Sequence, residues 1–166
     1  MTLKDIGEYK AKLLNMISDN EDIGELILGE KYDKDNSDEM LYENLFPFLF
    51  VQDVQTVTKS YLCIEVDVPR TIDFTFKDMK VIVWCYCHKD IIKYNKRGYK
   101  GTRVDILSDM VDRMLNSSNK FGLGRLHLQS ATYFSPALKF YGRQLIYNCS
   151  EFNIKNKLTG ELYEQI

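Results

Sequence analysis

A few groups of side chains in this 166-residue chain have the types and spacing that chemistry needs, and each sits in a strand or a loop. Cys85-Tyr-Cys87-His88 offers thiolates and an imidazole, the donors of a zinc site. Alternate side chains of a strand face opposite sides, so Cys85 and Cys87 share a face while His88 points the other way. Cys149 and His127 would have to converge from other strands to complete a site, and buried thiols are the expected reading. A cysteine nucleophile needs a histidine within hydrogen-bond reach, and only His88 and His127 exist, both in strand patterns. Glu65 and Asp67 lie two apart on one strand face, a spacing that an acid/base or two-metal nuclease shares with any solvated sheet surface. Gly122-Leu-Gly124-Arg125 opens a strand and lacks the lysine–serine pair of a phosphate loop, so it reads as a tight connection. The expectation is therefore no catalytic residue, no metal and no cofactor.

Charge is more informative than reactivity. Lys89, Lys93, Lys96, Arg97, Lys100 and Arg103 crowd one short segment and are interleaved with Tyr94 and Tyr99. Single-stranded nucleic acid binders use that mix of cations and rings. Against it, the chain is acidic overall and no recognised nucleic-acid motif accompanies the loop. Residues 1–45 hold twelve acidic and five basic side chains, a net of −7, which leaves +5 on the rest of a chain whose formal charge is −2. A chain so divided suits contact with nucleic acid, or with a second copy presenting its opposite face.

The elements that position these groups are legible from periodicity. Thr2 and Asp5 open an N-terminal helix, with Ile6, Tyr9, Leu13, Met16 and Ile17 forming its apolar stripe. A second helical stretch runs from Asp22 to Leu28 and stops at Gly29. Residues 30–39 are charged and predict a loop. Leu41 to Val51 is aromatic and broken by Pro47, so it reads as an extended segment laid on the core, or as an aromatic arm awaiting a partner. Tyr61 to Val68 alternates as a strand, with Leu62, Ile64 and Val66 on one face, and Pro69 is expected to end it. A turn at Thr71 to Asp78 leads into Met79–His88, a nearly continuous apolar run that predicts a central strand covered on both faces.

The basic loop is long enough to suggest a role of its own, although Ile91, Ile92 and Tyr94 favour its folding back. A helix follows, capped by Thr102 with Asp105 and buried through Val104, Leu107, Val111 and Met114. Arg125–Phe134 and Gly142–Phe152 predict an antiparallel strand pair whose tip carries Tyr133, Phe134, Phe140 and Tyr141. The fold class expected is α+β: a single antiparallel or mixed sheet of about four strands with helices packed mainly on one face. Residues 1–153 form one domain, with a helical region over about 1–30 and a charged loop over about 30–40, and 154–166 form a C-terminal tail.

Composition sets outer limits. An apolar fraction of 45% and a charged fraction of 28% are ordinary for a globular domain. No apolar run approaches a membrane span, and the N-terminus lacks the apolar core of a signal peptide, so synthesis and retention in a cytoplasm are expected. The four cysteines are expected as thiols in such a compartment, and the sequons at Asn116 and Asn148 carry no meaning there.

The second half, over roughly residues 41–153, resembles the tail terminator proteins and neighbouring neck components of long-tailed bacteriophages. The likeness rests on the Tyr61–Pro69 strand, the aromatic strand ending at His88, and Gly101-Thr-Arg-Val-Asp-Ile-Leu107 opening a helix. Phe121-Gly-Leu-Gly-Arg125 and Tyr141-Gly-Arg-Gln-Leu-Ile-Tyr147 complete it. The resemblance implies an α+β subunit of a hexameric ring at the head-proximal end of the tail tube. Such a ring ends tube polymerisation and meets the head-completion proteins, while DNA passes through its lumen. Its implied partners are further copies of itself, the tail tube protein and the neck proteins, with no membrane involved. It implies a virion location after assembly in the bacterial host cytoplasm, and no active site. A head-closure subunit of the same neck, and a nucleic-acid-binding or processing protein using residues 89–103, are the other readings. For a ring, Lys89, Lys93, Tyr94, Lys96, Arg97, Tyr99, Lys100, Arg103 and the tip residues Tyr133, Phe134, Phe140 and Tyr141 are the interface or lumen candidates.

Overall fold

A computed structural model describes residues 4–71, 77–96, 98–120 and 124–149 of the chain. Arg97, the helix-opening Thr2, most of the 71–78 turn, Phe121 to Leu123, Phe152 and the 154–166 tail lie outside the described residues. Helix α1 (Lys4–Ser18) buries Tyr9, Leu13 and Ile17, as its stripe predicts. Fully burying an aliphatic side chain such as Leu13 or Ile17 stabilises the fold by about 1.5–3 kcal/mol. Helix α2 (Glu21–Leu28) starts at Asn20, whose Oδ1 accepts from the Ile23 N–H at 3.1 Å. Gly29, at φ 64°, ends it in a conformation that β-carbons resist.

Strand β1 (Leu45–Phe46) runs parallel to β2 (Ser60–Thr71), and β2 pairs antiparallel with β3 (Lys77–His88). Helix α3 (Arg103–Leu115) precedes β4 (His127–Phe134) and β5 (Phe140–Cys149), which form an antiparallel hairpin. Among the described residues the sheet is mixed, in the order β1-β2-β3-β5-β4. The α+β class holds, and β1 is a fifth strand too short to register as a pattern.

The central position of β3 explains its apolar run. Val81, Val83, Cys85 and Cys87 join Leu62, Ile64, Leu145 and Tyr147 under the helices. Tyr86 on the other face joins Tyr61, Cys63, Phe46 and Phe140 in a smaller aromatic core. β3 is thus covered on the helix side from Val81 to Cys87 and on the aromatic side at its Tyr86–His88 end, while Lys80 is exposed and Ile82 and Trp84 are half-buried.

Several expectations needed correction. Pro69 does not end β2: pairing with β3 resumes at Arg70 after an irregularity beyond Asp67, so the proline occupies a bulge where its missing N–H breaks no ladder. Residues 34–40 are not a loop but a kinked 3₁₀ segment, capped by Asp33, that buries Met40. Its periodicity is hidden because it is anchored by one apolar residue at its end and by Ser37, whose hydroxyl donates to Asp19 Oδ1 at 2.8 Å. The hairpin strands begin at His127 and Phe140 rather than Arg125 and Gly142.

Candidate assembly surfaces

The basic segment folds onto α2 and α3. A 3₁₀ turn at Lys89–Ile91 follows β3, and Lys93 bridges back to Thr102. Arg103 turns inward: its Nε donates to the Ile91 carbonyl at 2.7 Å, its Nη1 donates to the Leu26 carbonyl, and its guanidinium lies 4.9 Å from the centre of the Tyr94 ring. Lys96 forms an ion pair with Glu25 of α2, and the hydrogen bond to that carboxylate raises the lysine's pKa. Tyr94 and Tyr99 meet edge to face, with centroids 6.4 Å apart, and both pack on the main core. Lys89, Lys93 and Lys100 are exposed. As a surface candidate, Arg103 is therefore corrected to a clasp. Its charge is used inside the molecule because α2 ends with carbonyls facing it.

The aromatic tip is divided by strand alternation. Phe140 is completely buried, and Phe134 is half-buried against Trp84 and Tyr86. Phe140 is thus withdrawn from any partner, which corrects its place among the interface candidates, while Phe134 keeps part of its surface open. Tyr133 and Tyr141 point to the helix side of the sheet and are 69% and 38% exposed, with Leu138 beside them in the turn at 68%. Between them lies a groove of about 240 Å³ floored by Gly142 and the Asp105–Arg143 ion pair. Arg143 Nε donates to Asp105 Oδ1 at 2.5 Å. Burial works against the Asp105 carboxylate, but the Thr102 hydroxyl and the Arg143 guanidinium outweigh it and hold the pKa below the usual range.

The third surface was legible only as an alternative. Residues 44–57 cross the aromatic face of the sheet and are pinned there by side chains from below. Tyr86 Oη donates to the Phe50 carbonyl at 2.5 Å, and Gln52 Nε2 donates to Tyr61 Oη at 2.7 Å. Asn44 Nδ2 donates to the Ser60 carbonyl at 2.9 Å. His88 Nδ1 accepts the Asp90 N–H, which leaves Nε2 to donate to the Gln55 carbonyl at 2.8 Å. From α1, Lys10 Nζ reaches the Pro47 carbonyl at 3.0 Å. Phe46 and Phe50 stack face to face beneath, 4.2 Å apart. With its backbone held, the arm turns Phe48, Leu49, Val51 and Val54 outward, and Tyr42 stands beside Phe46 with 63% of its surface exposed. The first sequence reading holds, for the segment is laid on the core, and its outer side is apolar.

The cysteines sit deep in this frame. Burial pushes the Cys85 thiol up to about 12, and the Cys63 and Cys87 thiols to about 11, so all three are protonated at neutral pH. Cys85 and Cys87 face the helices while His88 faces the arm, as strand alternation requires. Among the described residues no group of three or more His, Cys, Asp or Glu side chains is placed to hold a metal ion.

Fold and surfaces together define an α+β protein built on one mixed sheet, with a helical side and an aromatic side overlaid by a pinned arm. The chain belongs to the YomW family, whose model matches residues 11–149. The family name is of a phage-derived, Bacillus type, and the protein is phage-related. No curated protein and no solved structure matches the chain.

Proposed function

We propose that this protein is a structural component of the tailed-phage virion, a tail terminator whose copies form a ring at the head-proximal end of the tail tube. The ring ends tube polymerisation and joins the tube to the head-completion proteins, acting by contact and without catalysis. The observation that carries this reading is the arm: Phe48, Leu49, Val51 and Val54 are exposed together on a backbone fastened by buried side chains. Apolar groups held rigidly toward solvent favour a protein partner, because covering them releases water with little further loss of conformational freedom. Membership of a phage-related family supports reading that partner as a virion component. Exposed Lys89, Lys93 and Lys100 suit a surface near DNA in the lumen.

The test is Leu49→Glu with Val54→Glu in a phage carrying the gene. Expected are unjoined heads and tails of irregular length in negative-stain images, with the purified variant melting at the wild-type temperature. Normal virion yield from that variant overturns the reading. Rings without virion incorporation move it to another assembly.

A further inference from the structure

The two long edges of the sheet are finished differently. On the β2 side, β1 covers only Leu62 and Cys63. Beyond it the edge carries Asp67 and Glu65; the Glu65 carboxylate is held by Lys10 and takes up the Val66 N–H at 3.0 Å. Charges and a locally satisfied N–H are how proteins close an edge to further strands. The β4 edge has no such guard. From His127 to Leu138 there is no Asp, Glu, Lys or Arg. Its first residues are covered by the turn after α3, where the Leu128 N–H bonds Asn116 Oδ1 and the Leu126 N–H bonds the Ser118 carbonyl. From Ser130 to Phe134 the outer side of β4 has no strand neighbour among the described residues, and Ala131, Thr132 and Tyr133 are exposed.

We propose that β4 pairs antiparallel with β4 of a second copy, about a twofold axis at Thr132, joining two sheets into one. A strand free of charge meets itself with no like charges opposed, which the β2 edge, with Glu65 and Asp67, does not. Pairing of β4 with the β2 edge of another copy would set the Asp67 carboxylate, and the Lys10–Glu65 pair beside it, against a strand holding no cation. The register centred on Thr132 also fits the side chains. It sets Thr132 opposite Thr132, and the exposed Tyr133 ring over Ala131 of the other copy on the helix side. On the opposite side Phe134 meets Ser130. Tyr141 and Leu138 flank the seam and extend it beyond the strand backbone. This contact is twofold, whereas a six-membered ring closes through head-to-tail contacts, so the two fail separately.

The experiment is sedimentation of the full chain over a concentration series. Wild type shifts from monomer toward dimer, and Thr132→Lys weakens association by about tenfold or more, with an unchanged melting temperature. Mixing Thr132→Lys with Thr132→Glu restores dimers that neither forms alone. Thr132→Cys is the independent measurement. The native cysteines are buried, and the two new thiols, opposite each other across the axis at a Cβ distance of about 4.5 Å, the wide limit of disulfide geometry, lose two electrons and two protons to diamide and form a covalent dimer. A wild-type monomer throughout the series overturns the proposal. So do an oligomer that Thr132→Lys leaves intact and the absence of a Thr132→Cys cross-link. A ring that survives Thr132→Lys removes the twofold seam and leaves the terminator reading standing.

Discussion

Arg103, the first residue of α3, donates from Nη1 to the carbonyl of Leu26 in the last turn of α2. A helix ends with carbonyls that lack intrahelical partners and with a partial negative charge, so a guanidinium is well matched there. The same side chain holds the Ile91 carbonyl and lies over Tyr94, which fixes the basic loop between the two helices.

Arg103→Ala therefore removes one cation from two carbonyls and a ring. The expected loss is about 2 kcal/mol, because hydrogen bonds to charged donors contribute about 1.5–3 kcal/mol and the guanidinium is only half-buried. Arg103→Lys recovers little of it, since an ammonium cannot span both carbonyls as a planar fork does. Urea unfolding of the three proteins measures this, and wild-type stability in Arg103→Ala would show that the clasp is idle.

Gly142 lies between Phe134 on β4 and Tyr86 on β3, in one row across the sheet. The two rings meet edge to face over it, 6.2 Å apart. A Cβ built there would stand 2.1 Å from the Cys85 carbonyl oxygen and 2.8 Å from Tyr86 Cα, which are backbone atoms that cannot step aside. Gly142→Ala is expected to destabilise by about 3 kcal/mol, the upper end for overpacking. Gly7 in α1 meets nothing within 4 Å, so Gly7→Ala is expected to stabilise by about 0.5–1 kcal/mol. Thermal melts showing the same sign for both would contradict the packing described.

The lowered pKa of Asp105 makes the α3–β5 contact depend on pH. A carboxylate with a depressed folded pKa contributes stability that is fully present above its unfolded value, about 3.9, and is lost as pH falls through the folded value. The ion pair is about two-fifths exposed, so solvent screening limits it to about 1 kcal/mol or less. Wild type should exceed Asp105→Asn in stability at pH 7, and the gap should narrow below about pH 4 as the carboxylate protonates. An equal gap at pH 7 and pH 3 would separate the stabilisation from the charge.

Strand alternation let the faces of Leu62, Ile64, Cys85, Cys87 and His88 be read in advance, and the Thr102–Asp105 spacing located the start of α3. Both are local, set by the geometry of one or two turns of chain. Arg103 and Phe140 could not be placed that way. One is a cation in a basic run and the other an aromatic near a turn. What each meets depends on where α2 ends and on which face of the sheet the arm crosses.

The order of letters alone determined an α+β chain, the Thr102 cap of α3, the Gly29 stop of α2, its alternating faces, its buried thiols and its divided charge, because those depend on neighbours a few residues away. Only the tertiary structure decided that the basic loop is clasped to α2, that residues 44–57 are fastened over the aromatic face, and that one sheet edge is guarded while the other is bare. Each of these joins residues far apart in the chain, such as Arg103 with Leu26 or Tyr86 with Phe50. Their energy comes from satisfying buried polar groups and covering apolar area once the chain has closed on itself, and no local pattern records it.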